Sequence, residues 1–313
     1  MKITILDGKT LGDDIKLDIF GEETEIFPTT EPLEVAERIK ESDVIIVNKI
    51  KLFEDNLKDA KNLKLICVAA TGYDNIDTAY CKKRGIAVCN VVGYSTQSVA
   101  QLTVTMALSL FMHQKEYCDF VRSGEYTKSG VANRLTPAYY EIDKKIWGIV
   151  GLGNIGKQVA RVAKALGCSI LAYKRTPDGE YDCVSLSELM EKSDIISVHL
   201  PLSDETYGII SREMIAKMKK NAILINVARG AVTDEAAIRD AVLEDKIGGV
   251  GIDVFSKEPI LEDNPLYEIM DRDNVILTPH IAWAAYESRK RCMDEIKKNI
   301  DAFFGGEKRN RIV

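Results

Sequence analysis

Short runs rich in β-branched and aliphatic residues alternate with helical patterns along the whole chain, and no other feature limits its fold as tightly. A first series reads Lys2 to Leu6, Thr24 to Phe27, Asp43 to Val47, Leu65 to Ala69 and Ile86 to Asn90. A second reads Ile146 to Val150, Ser169 to Tyr173, Ile195 to His199, Ala222 to Val227, Gly249 to Asp253 and Val275 to Leu277. Strands separated by helices cannot be joined by tight hairpins. They lie parallel, and a parallel sheet buries both faces under helices. The pattern therefore predicts an α/β fold with two sheets. Between the series, Ser95 to His113 reads as a long apolar-rich helix placed to cross from one domain to the other. Beyond His280 a second long helix, from about Glu287 to Phe304, stops at Gly305-Gly306 and reads as the return crossing.

Composition agrees with two domains. The chain has 313 residues, 46% of them hydrophobic, against a prior of about 150 residues per domain. Lys and Arg number 42 against 48 Asp and Glu, and the net charge of -6 is spread without a basic block. That balance argues against a nucleic-acid partner. The N-terminus, Met1 to Asp7, reads as a strand followed by polar turn residues, and no stretch approaches the roughly 18 consecutive apolar residues of a membrane span. A cytoplasmic protein with no membrane partner is expected. Seven cysteines, an odd number with no C-x-x-C pair, fit a reducing compartment and argue against a disulfide framework or a metal site.

The strongest local signal is Gly151-Leu152-Gly153-Asn154-Ile155-Gly156, because it follows the run Ile146 to Val150 and opens the helical segment Lys157 to Leu166. Gly151 suits a tight turn, Gly153 leaves room for a diphosphate against the backbone, and Gly156 lets helix and strand approach. The helix start then offers unpaired N–H groups and the positive end of its dipole. At the end of the next run, where an NAD site places an acid on the ribose, the chain reads Tyr173-Lys174-Arg175-Thr176. Lys174 and Arg175 would neutralise a 2′-phosphate and Thr176 would donate a hydrogen bond to it, so NADP(H) is favoured. The alternative keeps both cations as solvated surface residues, with Asp178 or Glu180 on the ribose of NAD(H).

Proton transfer near neutral pH has few candidates, since the chain has three histidines, His113, His199 and His280. His280 follows Pro279 just past the last strand of the second series, at the carboxyl edge where open α/β sheets bind ligands. His113 falls in the long helix region. His199 ends a strand beside Pro201, where its backbone would line a cofactor. Two further groups stand at strand ends: Arg229 in Asn226-Val227-Ala228-Arg229-Gly230, and Glu258 in Asp253-Val254-Phe255-Ser256-Lys257-Glu258-Pro259. A keto acid asks for a bidentate cation at its carboxylate, an acid at its carbonyl oxygen, and a carboxylate that holds the imidazole in its protonated form. Arg229, His280 and Glu258 supply these groups in turn. From spacing alone each is equally readable as a surface charge.

Taken together, the ordered motifs Thr71-Gly72-Tyr73-Asp74-Asn75-Ile76-Asp77, Val99-Ala100-Gln101, Gly151 to Gly156, His199-Leu200-Pro201-Leu202, Asn226 to Gly230, Asp253 to Pro259 and Pro279-His280 resemble the D-isomer-specific 2-hydroxy acid dehydrogenase family over nearly the whole chain. The resemblance implies a Rossmann-type NAD(P) domain, residues 99–285, inserted in a flavodoxin-like substrate domain made of 1–98 and 286–313, with the active site in the cleft. It implies the catalytic set Arg229, Glu258 and His280. It also implies backbone N–H groups of Ala70, Thr71 and Gly72 for the substrate carboxylate, and Asp253 for the nicotinamide carboxamide. The cofactor would also meet Gly151, Gly153, Asn154, Ile155, Gly156, His199, Pro201, Val227, Ala228 and His280. Family members are commonly homodimers, with the long helix near the contact.

Within the family, Pro279 to Ala284 and Val99-Ala100-Gln101 are similar to the glycerate dehydrogenase and hydroxypyruvate reductase branch, so hydroxypyruvate or glyoxylate is the expected substrate. Phosphoglycerate or a branched or aromatic 2-keto acid is the alternative. Formate is disfavoured by Glu258, where formate enzymes of the superfamily carry glutamine. A nucleotide-sensing corepressor on the same fold is the alternative from outside enzymes.

Overall fold

The first series forms β1 (Ile3–Ile5), β2 (Thr24–Ile26), β3 (Val44–Val47), β4 (Leu65–Val68) and β5 (Ala87–Cys89), in a computed structural model that describes residues 1–176 and 179–313. These strands make one parallel sheet in the order β2-β1-β3-β4-β5. The inner strands β3 and β4 are buried on both faces, which is why they read as unbroken apolar runs, whereas the edge strand β2 is mostly exposed and carries Thr24 and Glu25. The order reverses between β1 and β3, the position at which open sheets of this kind leave a crevice. Residues 1–95 and 284–313 form this unit, and the helix Tyr286–Phe304 packs on β4.

The second series forms β6 (Ile146–Val150), β7 (Ser169–Tyr173), β8 (Asp182–Cys183), β9 (Ile195–Val198), β10 (Ile223–Asn226), β11 (Gly249–Ile252) and β12 (Val275–Leu277). Every pairing is parallel, in the order β12-β11-β10-β9-β6-β7-β8. The reversal lies between β6 and β9, with the strand ends that carry Gly151 and His199 on either side of it. This unit spans residues 96–283. Both divisions of the chain fall a few residues before the expected 98/99 and 285/286.

Two elements differ from the pattern in the sequence. β8 has only two residues, too few for a period to register. The expected helix Ser95 to His113 forms as Thr96–Phe111, and a further helix that the pattern did not show, Gln114–Arg122, follows it. His113 takes a left-handed backbone (φ 51°) between them, the conformation that usually ends a helix at glycine. Thr96–Phe111 packs along the helix Asn154–Ala165 and over β10 and β11, so its buried face (Val99, Ala100, Met106, Ala107, Leu110) belongs to the core of the second unit. No helix among the described residues is long and apolar enough to cross a membrane.

Candidate active site and cofactor cradle

β6 runs into Gly151, whose left-handed backbone (φ 99°) no other residue adopts cheaply. A Cβ there would lie 2.8 Å from the His199 carbonyl carbon, and one on Gly156 would lie 2.2 Å from the Gly151 oxygen. Glycine at these two positions is a requirement of the turn itself. Gly153 is different, since a Cβ on it would meet nothing within 4 Å. The helix Asn154–Ala165 has no side-chain cap. The N–H groups of Leu152, Gly153, Asn154 and Ile155 meet no acceptor among the described residues. Uncapped donors at a helix start beside open space fit a diphosphate.

At the end of β7, Lys174 is partly buried, while Arg175 and Thr176 are exposed. Arg175 pairs with Glu205 at 2.7 Å, both side chains being well exposed, a contact worth no more than about 1 kcal/mol and easily exchanged for a phosphate. Glu180 is engaged by Lys157 of the helix that follows the turn. Asp178, the other acid considered for the ribose, lies outside the described residues.

His199, after β9, is fixed through its ring. The Trp147 indole donates to Ser197 Oγ at 3.0 Å, and Ser197 Oγ lies 3.0 Å from His199 Nε2. Nδ1 is buried without a partner among the described residues. Burial pushes the imidazole down to about 3, so it is neutral throughout the working pH range and offers no imidazolium proton. Pro201 follows on the surface and accepts the Thr206 hydroxyl.

The three strands β10, β11 and β12 lie side by side, and their carboxyl ends carry Arg229, Glu258 and His280. Asn226 shapes the first of these ends: its Oδ1 accepts the Ala228 N–H at 3.0 Å, and its amide donates to the Arg229 carbonyl at 2.9 Å. Val227 and Ala228 are thereby held almost buried. Arg229 is half-buried, and its Nη1 donates to the Ala228 carbonyl at 2.8 Å. Glu258 Oε2 stands 2.7 Å from His280 Nδ1, and its Oε1 accepts the Phe255 N–H at 3.2 Å. With Nδ1 facing a carboxylate, Nε2 is the nitrogen that can exchange a proton with a ligand.

Asp253 is fully buried. It accepts the Thr278 hydroxyl at 2.6 Å and the N–H groups of Ile281 and Ala282 at 2.8 Å each. Burial raises its carboxyl above the ordinary range, and these three bonds oppose the rise. The expectation of a carboxamide contact did not anticipate this work. The carboxylate holds the turn in which His280 is kept at a left-handed φ of 54°, a backbone that needs surrounding structure to sustain it.

Two residues to which the sequence assigned no role support the same edge. Glu235 is buried and holds Ser256 and Asn264. Gly230 lets the backbone of Phe255 and Ser256 pass, since a Cβ there would fall 2.0 Å from the Phe255 carbonyl carbon. Gly230→Ala should therefore part these loops or strain them at a cost of ~1 to 3 kcal/mol. An unchanged thermal midpoint would show that the loops separate without cost.

In the first unit, the loop after β4 presents Ala70, Thr71 and Gly72, whose N–H groups meet no acceptor among the described residues. The carbonyls of Ala70 and Thr71 and the Thr71 hydroxyl are committed instead. Asn90 donates to the Thr71 carbonyl at 2.7 Å, Thr71 Oγ1 donates to the Val91 carbonyl at 2.8 Å, and the Val91 N–H reaches the Ala70 carbonyl at 3.0 Å. Neighbouring free N–H groups on a tethered loop suit a carboxylate. Asn90 itself had no signal in the sequence beyond its place at a strand end.

Comparison with known proteins agrees with this arrangement. Residues 104–282 match the family described as D-isomer specific 2-hydroxyacid dehydrogenase, NAD binding domain. A glycerate dehydrogenase of Methylorubrum extorquens is 37% identical, covering 99% of this chain and 98% of that protein. A hydroxypyruvate reductase of Blautia hydrogenotrophica is 38% identical, with 98% of each covered. Among solved structures, the D-lactate dehydrogenase of Aquifex aeolicus, complexed with NAD and lactic acid, superposes with a TM-score of 0.87 at 32% identity, covering 98% of this chain and 96% of that one. The chain is an NAD(P)-dependent oxidoreductase of the α/β type with a Rossmann nucleotide domain, and it belongs to the D-isomer specific 2-hydroxyacid dehydrogenase family.

Proposed function

We propose that this enzyme reduces a small 2-keto acid, hydroxypyruvate or glyoxylate, with Arg229, Glu258 and His280 as its catalytic set. The observation that carries the assignment is the 2.7 Å contact of Glu258 with His280 Nδ1, at the strand end next to the one bearing Arg229. The relatives named glycerate dehydrogenase and hydroxypyruvate reductase support the substrate, as do the small Ala69, Ala70 and Gly72 of the first unit's loop. A nicotinamide cofactor held at the turn Gly151 to Gly156 would supply or accept the hydride. Arg229 holds the carboxylate and so orients the carbonyl. His280 Nε2 donates a proton to the carbonyl oxygen, while Glu258 fixes the ring and stabilises the imidazolium. In the oxidative direction the same nitrogen takes the proton back. Initial rates on hydroxypyruvate, glyoxylate, pyruvate and a bulky 2-keto acid test the reading; a preference for the bulky acid would overturn it.

For the cofactor, NADP(H) is favoured over NAD(H) by Lys174 and Arg175 at the end of β7 and by the lack of any acid from residue 157 to residue 177. A 2′-phosphate carries close to two negative charges, so two partly solvated cations should favour it by roughly 10-fold or more. The kcat/KM with NADPH should exceed that with NADH, and Lys174→Asp combined with Arg175→Ala should reverse the order. An enzyme that already prefers NADH refutes the charge argument.

The active species is read as a homodimer working in the cytoplasm. Support for the dimer comes from the segment after Thr96–Phe111: the helices Gln114–Arg122 and Glu125–Ser129 bury no residue. Val121, Val131, Leu135, Tyr139 and Tyr140 are all exposed there, apolar side chains that a second subunit would cover. Light scattering should give twice the 34.9 kDa chain mass. The free cysteines suit a reducing compartment.

A further inference from the structure

Glu235 opens the helix Glu235–Leu243, directly after its N-cap Asp234. A glutamate in a first turn is favoured by the helix dipole without being buried, yet this one is 8% exposed and its carboxylate reaches a different loop. Oε1 accepts the Ser256 N–H at 2.7 Å, and Oε2 accepts the Ser256 hydroxyl at 2.6 Å and the Asn264 amide at 2.9 Å. These donors stand at the two ends of the segment 256–264, which leaves β11 after Asp253 and closes into the 3-10 helix Pro265–Ile269. Glu258 lies inside that segment. Its start is the same backbone that passes over Gly230, the residue after Arg229. One buried carboxylate thus pins both ends of the loop that delivers Glu258 to the imidazole.

We propose that Glu235 is a positioning residue for proton transfer: it sets the segment 256–264 so that the Glu258 carboxylate meets His280 Nδ1. The proposal rests on the reading of Glu258 and His280 as the proton-transfer pair. Glutamine in place of Glu235 keeps the shape but offers one accepting oxygen where three donors need two, so the loop loses an anchor. A small displacement of an orienting carboxylate is enough to cost a large factor in rate.

The test combines a mutant cycle with a spectroscopic readout. Glu235→Gln should lower kcat by ~10-fold to 100-fold and should change KM for the keto acid less. Direct titration should show nearly unchanged NADPH affinity, because the glycine turn follows β6. In a Glu258→Gln background the same change should cost less than about 2-fold more, since its route of action is already cut. The Nδ1 proton of His280, one of only three histidines, should shift or vanish from the NMR spectrum of Glu235→Gln. If that variant does not fold, Ser256→Ala keeps the backbone bond and the Asn264 bond, and should show a smaller loss that is likewise absent from the Glu258→Gln background. Losses that multiply in both backgrounds would mean a general structural role and overturn the proposal, as would normal kcat in Glu235→Gln. Near-normal turnover of His280→Ala would instead overturn the reading of the pair on which the proposal stands.

Discussion

His280→Ala is expected to lower kcat by at least ~100-fold while leaving cofactor affinity nearly unchanged, the effect of removing a positioned general acid. Neither remaining histidine can take its place. Burial disfavours the charged form of His199 and pushes its imidazole down to about 3, so it offers no imidazolium near neutral pH, and its Nε2 is committed to Ser197. His113 sits in the turn between two helices, away from the strand ends that carry the site. Kinetics of the reductive reaction, paired with direct titration of NADH or NADPH, separate loss of chemistry from loss of binding. Turnover close to the unmodified enzyme would remove His280 from the mechanism.

Arg229→Lys is the second large effect expected. A guanidinium presents two parallel N–H donors to a carboxylate, whereas an ammonium is a point charge on a flexible stem. Nη1 also donates to the Ala228 carbonyl, so the fork is held by its own backbone before substrate arrives. Lysine would lose both the bidentate grip and that tether. KM for the keto acid should rise by on the order of 10-fold to 100-fold, with kcat falling as well because the carbonyl is misplaced. Kinetics indistinguishable from the unmodified enzyme would rule out a carboxylate-binding role.

The candidate site shows where sequence reading stops. The glycine turn was legible because Gly151, Gly153 and Gly156 lie within one short stretch between an apolar run and a helix, and their reasons are local. The two units were legible as two series of alternating runs, since burial on both faces leaves strands such as β3 and β4 without polar interruptions. Arg229, Glu258 and His280 could be named from motifs, but not their contact: His280 and Glu258 meet across a sequence separation of 22 residues. Glu235 and Asn264, separated by 29, left no trace in any period.

Asp253 marks the boundary most clearly. Its place at the end of a strand was readable, and so was its suitability for an amide ligand. That its carboxylate takes three donors from the turn around His280 depends on β11 and β12 lying next to each other, which no spacing encodes. By itself the sequence determined the α/β class, the position of the nucleotide turn and the residue types available for hydride and proton chemistry, because helix and strand periods and glycine turns are short-range properties of the chain. The tertiary structure alone decided the strand order, the left-handed backbone at His113, the Glu258–His280 contact and the buried carboxylates Glu235 and Asp253 behind it. Those depend on which distant backbone donors are brought beside a desolvated acceptor, and a buried carboxylate is tolerated only where such donors arrive.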